Sequence, residues 1–79
     1  MNVQNRIRRL RFDHGEMTQQ ALAERVGVTR QTINAIELGK YCPSLDVAFR
    51  IAAAFGVPLE QVFTYEPQSP ASPPEGSRG

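Results

Sequence analysis

Two apolar stripes separated by a single turn dominate residues 18–37. Ala21, Leu22 and Val26 fall at helical spacing, then Val28, Ile33 and Ile36, with Gly27 between the sets. Each stripe can be buried only against the other helix and a neighbour. Gly27 takes positive φ at no steric cost and closes the first of these helices, and Thr29 caps the second through its hydroxyl. Only Val28 lies between glycine and cap, so the two helices must pack at a sharp angle. Thr18 gives the earlier helix its own N-cap.

The same punctuation recurs along the chain. Gly15, Gly27 and Gly39 each follow an amphipathic segment and read as successive helix stops. A first helix is expected from about Val3 or Asn5 to His14, burying Ile7, Leu10 and either Phe12 or Val3, with Arg6, Arg8 and Arg9 on a solvated basic side. After Gly39 the segment through Pro43 reads as a loop, and Ser44 as the cap of a fourth helix carrying Leu45, Val47, Ala48, Ile51, Ala52 and Phe55. Pro58 fits the first position of a short fifth helix through Leu59, Val62 and Phe63. The expected fold is all-α, a compact five-helix bundle over residues 1–66. From Pro67 to Gly79 four prolines and no large apolar residue predict a disordered tail.

Size and composition remove several classes of function. A chain of 79 residues forms one small domain. One cysteine, Cys42, and one histidine, His14, speak against a disulfide and against a zinc site, and no cofactor is expected. No stretch approaches the roughly 20 apolar residues of a membrane span, and no signal-peptide core follows the N-terminus, so a cytoplasmic location is expected. The net charge of +1 divides unevenly. Residues 1–40 hold seven bases and four acids, a balance of +3, while the rest hold two and four, a balance of −2. Such asymmetry suits one face turned toward a polyanion.

That face is legible on the second helix of the tight pair. At 100° per residue, Ile33 and Ile36 share one side with Thr32 at its border, whereas Arg30, Gln31, Asn34, Ala35 and Leu38 point elsewhere. A ten-residue helix over 29–38 is about 15 Å long and fits the major groove. Arginine donates twice to guanine and glutamine pairs with adenine, so Arg30 and Gln31 are the best base readers, with Asn34 beside them and Ala35 suited to a thymine methyl. An ordinary solvated helix face would carry the same residue types; the tight turn is what favours DNA. Gln19 and Gln20 open the preceding helix, where free N–H groups attract an anion, and with Thr29 and Lys40 they make up the expected phosphate contacts.

The residues 18–33, together with Ile36-Glu-Leu-Gly-Lys-Tyr-Cys-Pro-Ser-Leu45 and Ala52-Ala-Ala-Phe-Gly-Val-Pro-Leu-Glu-Gln-Val-Phe63, resemble the Cro/C1-type, or XRE-type, helix-turn-helix family of bacterial and phage repressors in its small single-domain form. The likeness covers roughly residues 3–65. It implies a lambda-repressor-like bundle whose third helix enters the major groove of double-stranded DNA, usually as a homodimer on a two-fold symmetric operator. By position it implies that Gln19 binds phosphate, that Arg30, Gln31 and Ala35 read bases, and that Arg11 and Glu37 form a buried or half-buried ion pair. Leu38 departs from the pattern, which often has a polar residue touching the DNA backbone there.

Val57, Leu59, Val62, Phe63 and Tyr65 are expected to form the homodimer interface. The same residues would serve a second class of function, a protein-interaction module such as an antitoxin holding a toxin. An enzyme is the weakest class. His14, Cys42 and Ser44 have no partners spaced like a triad, and no Gly-rich phosphate loop is present.

Overall fold

The computed structural model describes residues 3–65; the tail expected from Pro67 onward lies outside the described residues. The chain runs through a strand β1 (Val3–Asn5), helices α1 (Ile7–Asp13), α2 (Gln19–Val26), α3 (Arg30–Glu37), α4 (Leu45–Phe55) and α5 (Leu59–Val62), and a closing strand β2 (Phe63–Tyr65). The five helices form the bundle expected from the sequence. α2 packs against α3 and α4, and α4 against α5.

Local chemistry sets the helix ends. The hydroxyls of Thr18, Thr29 and Ser44 accept the N–H groups of Ala21, Thr32 and Val47, the donors left open at the starts of α2, α3 and α4. Gly27 ends α2 at φ 87°, a left-handed conformation that a β-carbon would strain. Arg50, reaching across from α4, donates from Nη1 to the Val26 carbonyl at 3.3 Å, so one of the open acceptors at that helix end is also satisfied. Thr29 and Leu38 are caps, which leaves α3 eight residues long, about 12 Å.

The all-α expectation needs one addition. β1 and β2 pair antiparallel, with Val3 opposite Tyr65, Gln4 opposite Thr64 and Asn5 opposite Phe63. The first helix therefore begins at Ile7 and not at Val3 or Asn5, and Phe63 belongs to a strand and not to α5. Asn5 fixes the change of direction: its Oδ1 accepts the Ile7 N–H at 3.2 Å and its Nδ2 donates to the Ile36 carbonyl at 2.9 Å. The Arg6 N–H donates to the Val62 carbonyl at 2.8 Å, extending the pairing by one bond. Val3 on the first segment and Phe63, Thr64 and Tyr65 on the second suit extended pairing. Three-residue strands are marginal alone. Here they are tied to the core by Ile7 and Val62, both fully buried. Pro58 also differs slightly, standing just before α5 with extended ψ of 158°.

One core forms from Ile7, Leu22, Ala23, Val26, Ile33, Ile36, Ile51, Ala52, Phe55 and Val62. Leu10 packs against its edge, but Phe12 is 65% exposed, because α1 turns that face away from the bundle. His14 joins the ends of α1 and α4. Its Nδ1 lies 2.9 Å from the Leu10 carbonyl and its Nε2 3.1 Å from that of Phe55, with its ring beside the Phe55 ring. Two of the three residues weighed for catalysis thus have simple structural roles, His14 as a link between helix ends and Ser44 as a cap, while Cys42 is an exposed free thiol.

Candidate nucleic-acid interface

α3 is held from beneath and open above. Ile33 and Ile36 are buried against α2 and the rest of the core, so the helix cannot rotate without exposing both. That fixes Arg30, Gln31 and Asn34 on the exposed side, with Ala35 half-buried beside them. Arg30 and Gln31 occupy the first turn, directly after the Thr29 cap, where side chains project past the end of the helix. Thr29 Oγ1 also lies 2.9 Å from Thr32 Oγ1, so the cap hydroxyl is already engaged on both counts.

The far end of α3 is tied to α1 and α2 by one connected set of polar side chains. Arg11 donates from Nε to Glu37 Oε2 at 2.7 Å and from Nη2 to Glu37 Oε1 at 3.0 Å, a two-pronged contact that suits a guanidinium and a carboxylate. Both side chains are largely removed from water, at 15% and 8% exposure. Arg11 Nη1 donates to the Met17 carbonyl at 2.8 Å, just ahead of the Thr18 cap. Gln19 Nε2 then donates to Glu37 Oε1 at 3.2 Å and to Asn34 Oδ1 at 3.1 Å. Three helices thus meet around one carboxylate.

The expected phosphate contacts are distributed around this set. Gln19 stands at its centre with both amide hydrogens committed to internal acceptors. Gln20 is exposed and donates to Glu24 Oε2 one turn on, at 3.0 Å. Lys40, past the end of α3, is exposed.

One basic residue of this surface is invisible to helix-face reasoning. Arg8 bounds a groove of about 350 Å³ together with Arg11, Gln19, Asn34, Glu37 and Leu38, and among the described residues it has no carboxylate partner. Arg9 differs, reaching Asp13 at 3.4 Å one turn along α1. Sequence reasoning grouped Arg6, Arg8 and Arg9 together as a solvated side. Separating Arg8 from its neighbours requires knowing that α1 passes beside the end of α3, a contact between distant segments.

The surface expected for self-association is smaller than its sequence suggests. Val62 is fully buried and unavailable to any partner, because it belongs to the hydrophobic core. Val57, Leu59 and Phe63 are half-buried against the core, and Tyr65 alone of the five is widely exposed, at 68%.

A helix-turn-helix family profile matches residues 7–62, the whole span from the start of α1 to the end of α5. The chain belongs to the Cro/C1-type helix-turn-helix family. Its similarity to individual members is high. An uncharacterized HTH-type transcriptional regulator of Methanocaldococcus jannaschii is 52% identical over 64 residues, covering 81% of this chain and 96% of the relative. The uncharacterized HTH-type transcriptional regulator YgzD of Bacillus subtilis is 45% identical over 67 residues, 85% of this chain and all of the relative. A Methanothermobacter thermautotrophicus regulator is 68% identical over a shorter stretch of 40 residues, 51% of this chain and 58% of its own. The family is one of DNA-binding transcription regulators rather than of enzymes. Among the described residues no helix is long and apolar enough to cross a membrane.

Proposed function

We propose that this Cro/C1-type regulator is a repressor that binds an inverted-repeat operator as a homodimer, with α3 of each copy in the major groove. The observation that carries this reading is the two-sidedness of α3: Ile33 and Ile36 locked into the core, and Arg30, Gln31 and Asn34 in solvent. Arg30 and Gln31 read base edges, Ala35 meets a thymine methyl, and Gln20 and Lys40 lie along the phosphates, with Gln19 and Thr29, whose side chains are engaged internally, offering them backbone N–H groups. Repression needs nothing more than occupancy of the site. Tyr65, two residues after the partly accessible Phe63 on the strand paired with β1, supports self-association at the sheet.

Selection from a random duplex library with the purified protein tests the reading. The expected winner is an inverted repeat with half-sites about one helical turn apart, roughly 10 bp centre to centre. Arg30→Ala should weaken binding to that winner by about 1–3 kcal/mol and relax the preference at one base pair per half-site. Single, unrepeated sites would remove the dimer, and an unchanged base preference in the variant would remove Arg30 as a reader.

Arg8 adds a phosphate contact from α1 to this footprint. Arg8→Ala should lower affinity for the winner and for unrelated duplex alike, and flatten the slope of log affinity against log salt by about 0.9. Arg9→Ala, already paired with Asp13, should change the slope less. Identical slopes for wild-type and Arg8→Ala protein would place Arg8 off the DNA.

A further inference from the structure

We infer that Glu37 is a positioning residue for base recognition: through Gln19 it fixes the direction in which the Asn34 carboxamide meets DNA. The inference rests on the proposal that α3 reads DNA, and adds to it a role for a side chain at the end of α3 that is largely removed from water.

Hydrogen-bond polarity runs in one direction through the set. Arg11 has N–H donors and no acceptor, so with two donors on Glu37 it keeps that carboxylate an acceptor on both oxygens. An amide beside such a carboxylate must present its nitrogen. Turning the Gln19 carboxamide over would set Oε1 against Glu37 Oε1, two acceptors with no proton between them. Once Gln19 Nε2 is directed at Glu37, its second hydrogen lies on Asn34 Oδ1 at 3.1 Å. Reversing Asn34 would then oppose two NH2 groups. The orientation of Asn34 is therefore decided two side chains away, by an ion pair largely removed from water.

The consequence is specific to one of the two ends of α3. An asparagine reads a base edge through the order of its donor and acceptor, and a freely turning carboxamide matches both orders equally. Asn34 is held in one order. Arg30 stands outside the set, at the start of the helix, with no such link among the described residues.

Base preferences from random-library selection, measured for the full-length wild-type protein, Asn34→Ala, Glu37→Gln and Gln19→Met, test the role. Asn34→Ala identifies the base pair that Asn34 reads. At that position the wild-type preference, about fivefold or more for a well-made contact, should fall below about twofold in Glu37→Gln, where the neutral amide can present either end to Gln19. The position read by Arg30 should keep its preference. Gln19→Met breaks the link while leaving Arg11 and Glu37 paired, and its effect is expected at the same base pair, so the test stands even where Glu37→Gln folds poorly. Losses spread evenly over all positions, an unaltered preference in both variants, or no position that depends on Asn34 would each overturn the role. No enriched sequence with wild-type protein would instead overturn the DNA reading beneath it.

Discussion

Replacing Glu37 with alanine is expected to cost about 3–5 kcal/mol of folding stability, the largest loss from any single polar side chain of this domain. The reason is what remains behind. Arg11 would keep its bond to the Met17 carbonyl, and so stay in place, with its side chain 15% exposed and no second ion pair among the described residues to offset the charge. A domain of this size has a total stability on the order of 5–15 kcal/mol, so the variant should be measurably unfolded near its wild-type working temperature. Urea denaturation followed by circular dichroism gives the result as a lower midpoint at unchanged slope. Removing both charges together, as in Arg11→Met with Glu37→Leu, should recover most of the loss, since an apolar pair carries no desolvation penalty. A Glu37→Ala protein within about 1 kcal/mol of wild type would mean that water already screens the pair as it does on an open surface.

The double variant also separates two roles of one carboxylate. Stability depends on the charges being matched or absent. Base recognition, on the role inferred for Glu37, depends instead on an acceptor next to Gln19, which Glu37→Leu lacks. The stable double variant should therefore still select DNA poorly at the position of Asn34. On that role stability and specificity are joined at Glu37, where side chains of three helices converge.

Features set by neighbours in the chain were legible without coordinates. Thr18, Thr29 and Ser44 each cap a helix by reaching three residues ahead, and Gly27 closes α2 by its own φ. The sharp turn and the two faces of α3 follow from these. What sequence reasoning missed depends on segments far apart. The strand pair joins residues some 60 positions apart, and nothing in Val3-Gln4-Asn5 announces Phe63-Thr64-Tyr65 as its partner. Periodicity therefore extended α1 to Val3, where Asn5 actually binds the Ile36 carbonyl and begins the helix late. In a helix as short as α5, apolar spacing does not say which side faces the core, so fully buried Val62 was grouped with exposed Tyr65. The link from Gln19 to Asn34 spans 15 residues and is a matter of hydrogen-bond direction, which residue type alone does not encode.

Ile33→Ala should be the most damaging apolar change on α3, with an expected loss of about 2–5 kcal/mol. Ile33 is fully buried, on the side of α3 opposite the proposed readers, in the one core that also holds Leu22 and Val26 of α2. Truncation removes contacts that α2 and α3 cannot regain by moving closer, because the turn through Gly27 and Val28 fixes their approach. In a domain this small each kcal/mol moves the melting temperature by about 4–8 °C, so the drop should exceed about 8 °C. Ile33→Val, one methylene smaller, should cost only about 0.5–1.5 kcal/mol and leave base preference intact. In Ile33→Ala protein kept well below its melting point, preference should weaken at the Arg30 and Asn34 positions together, since both are carried on a helix that has lost its anchor. A truncated variant that melts within about 2 °C of wild type would show that the core closes over the gap. α3 would then be held chiefly by its polar end at Glu37, and the Glu37→Ala variant would have to show the greater loss of the two.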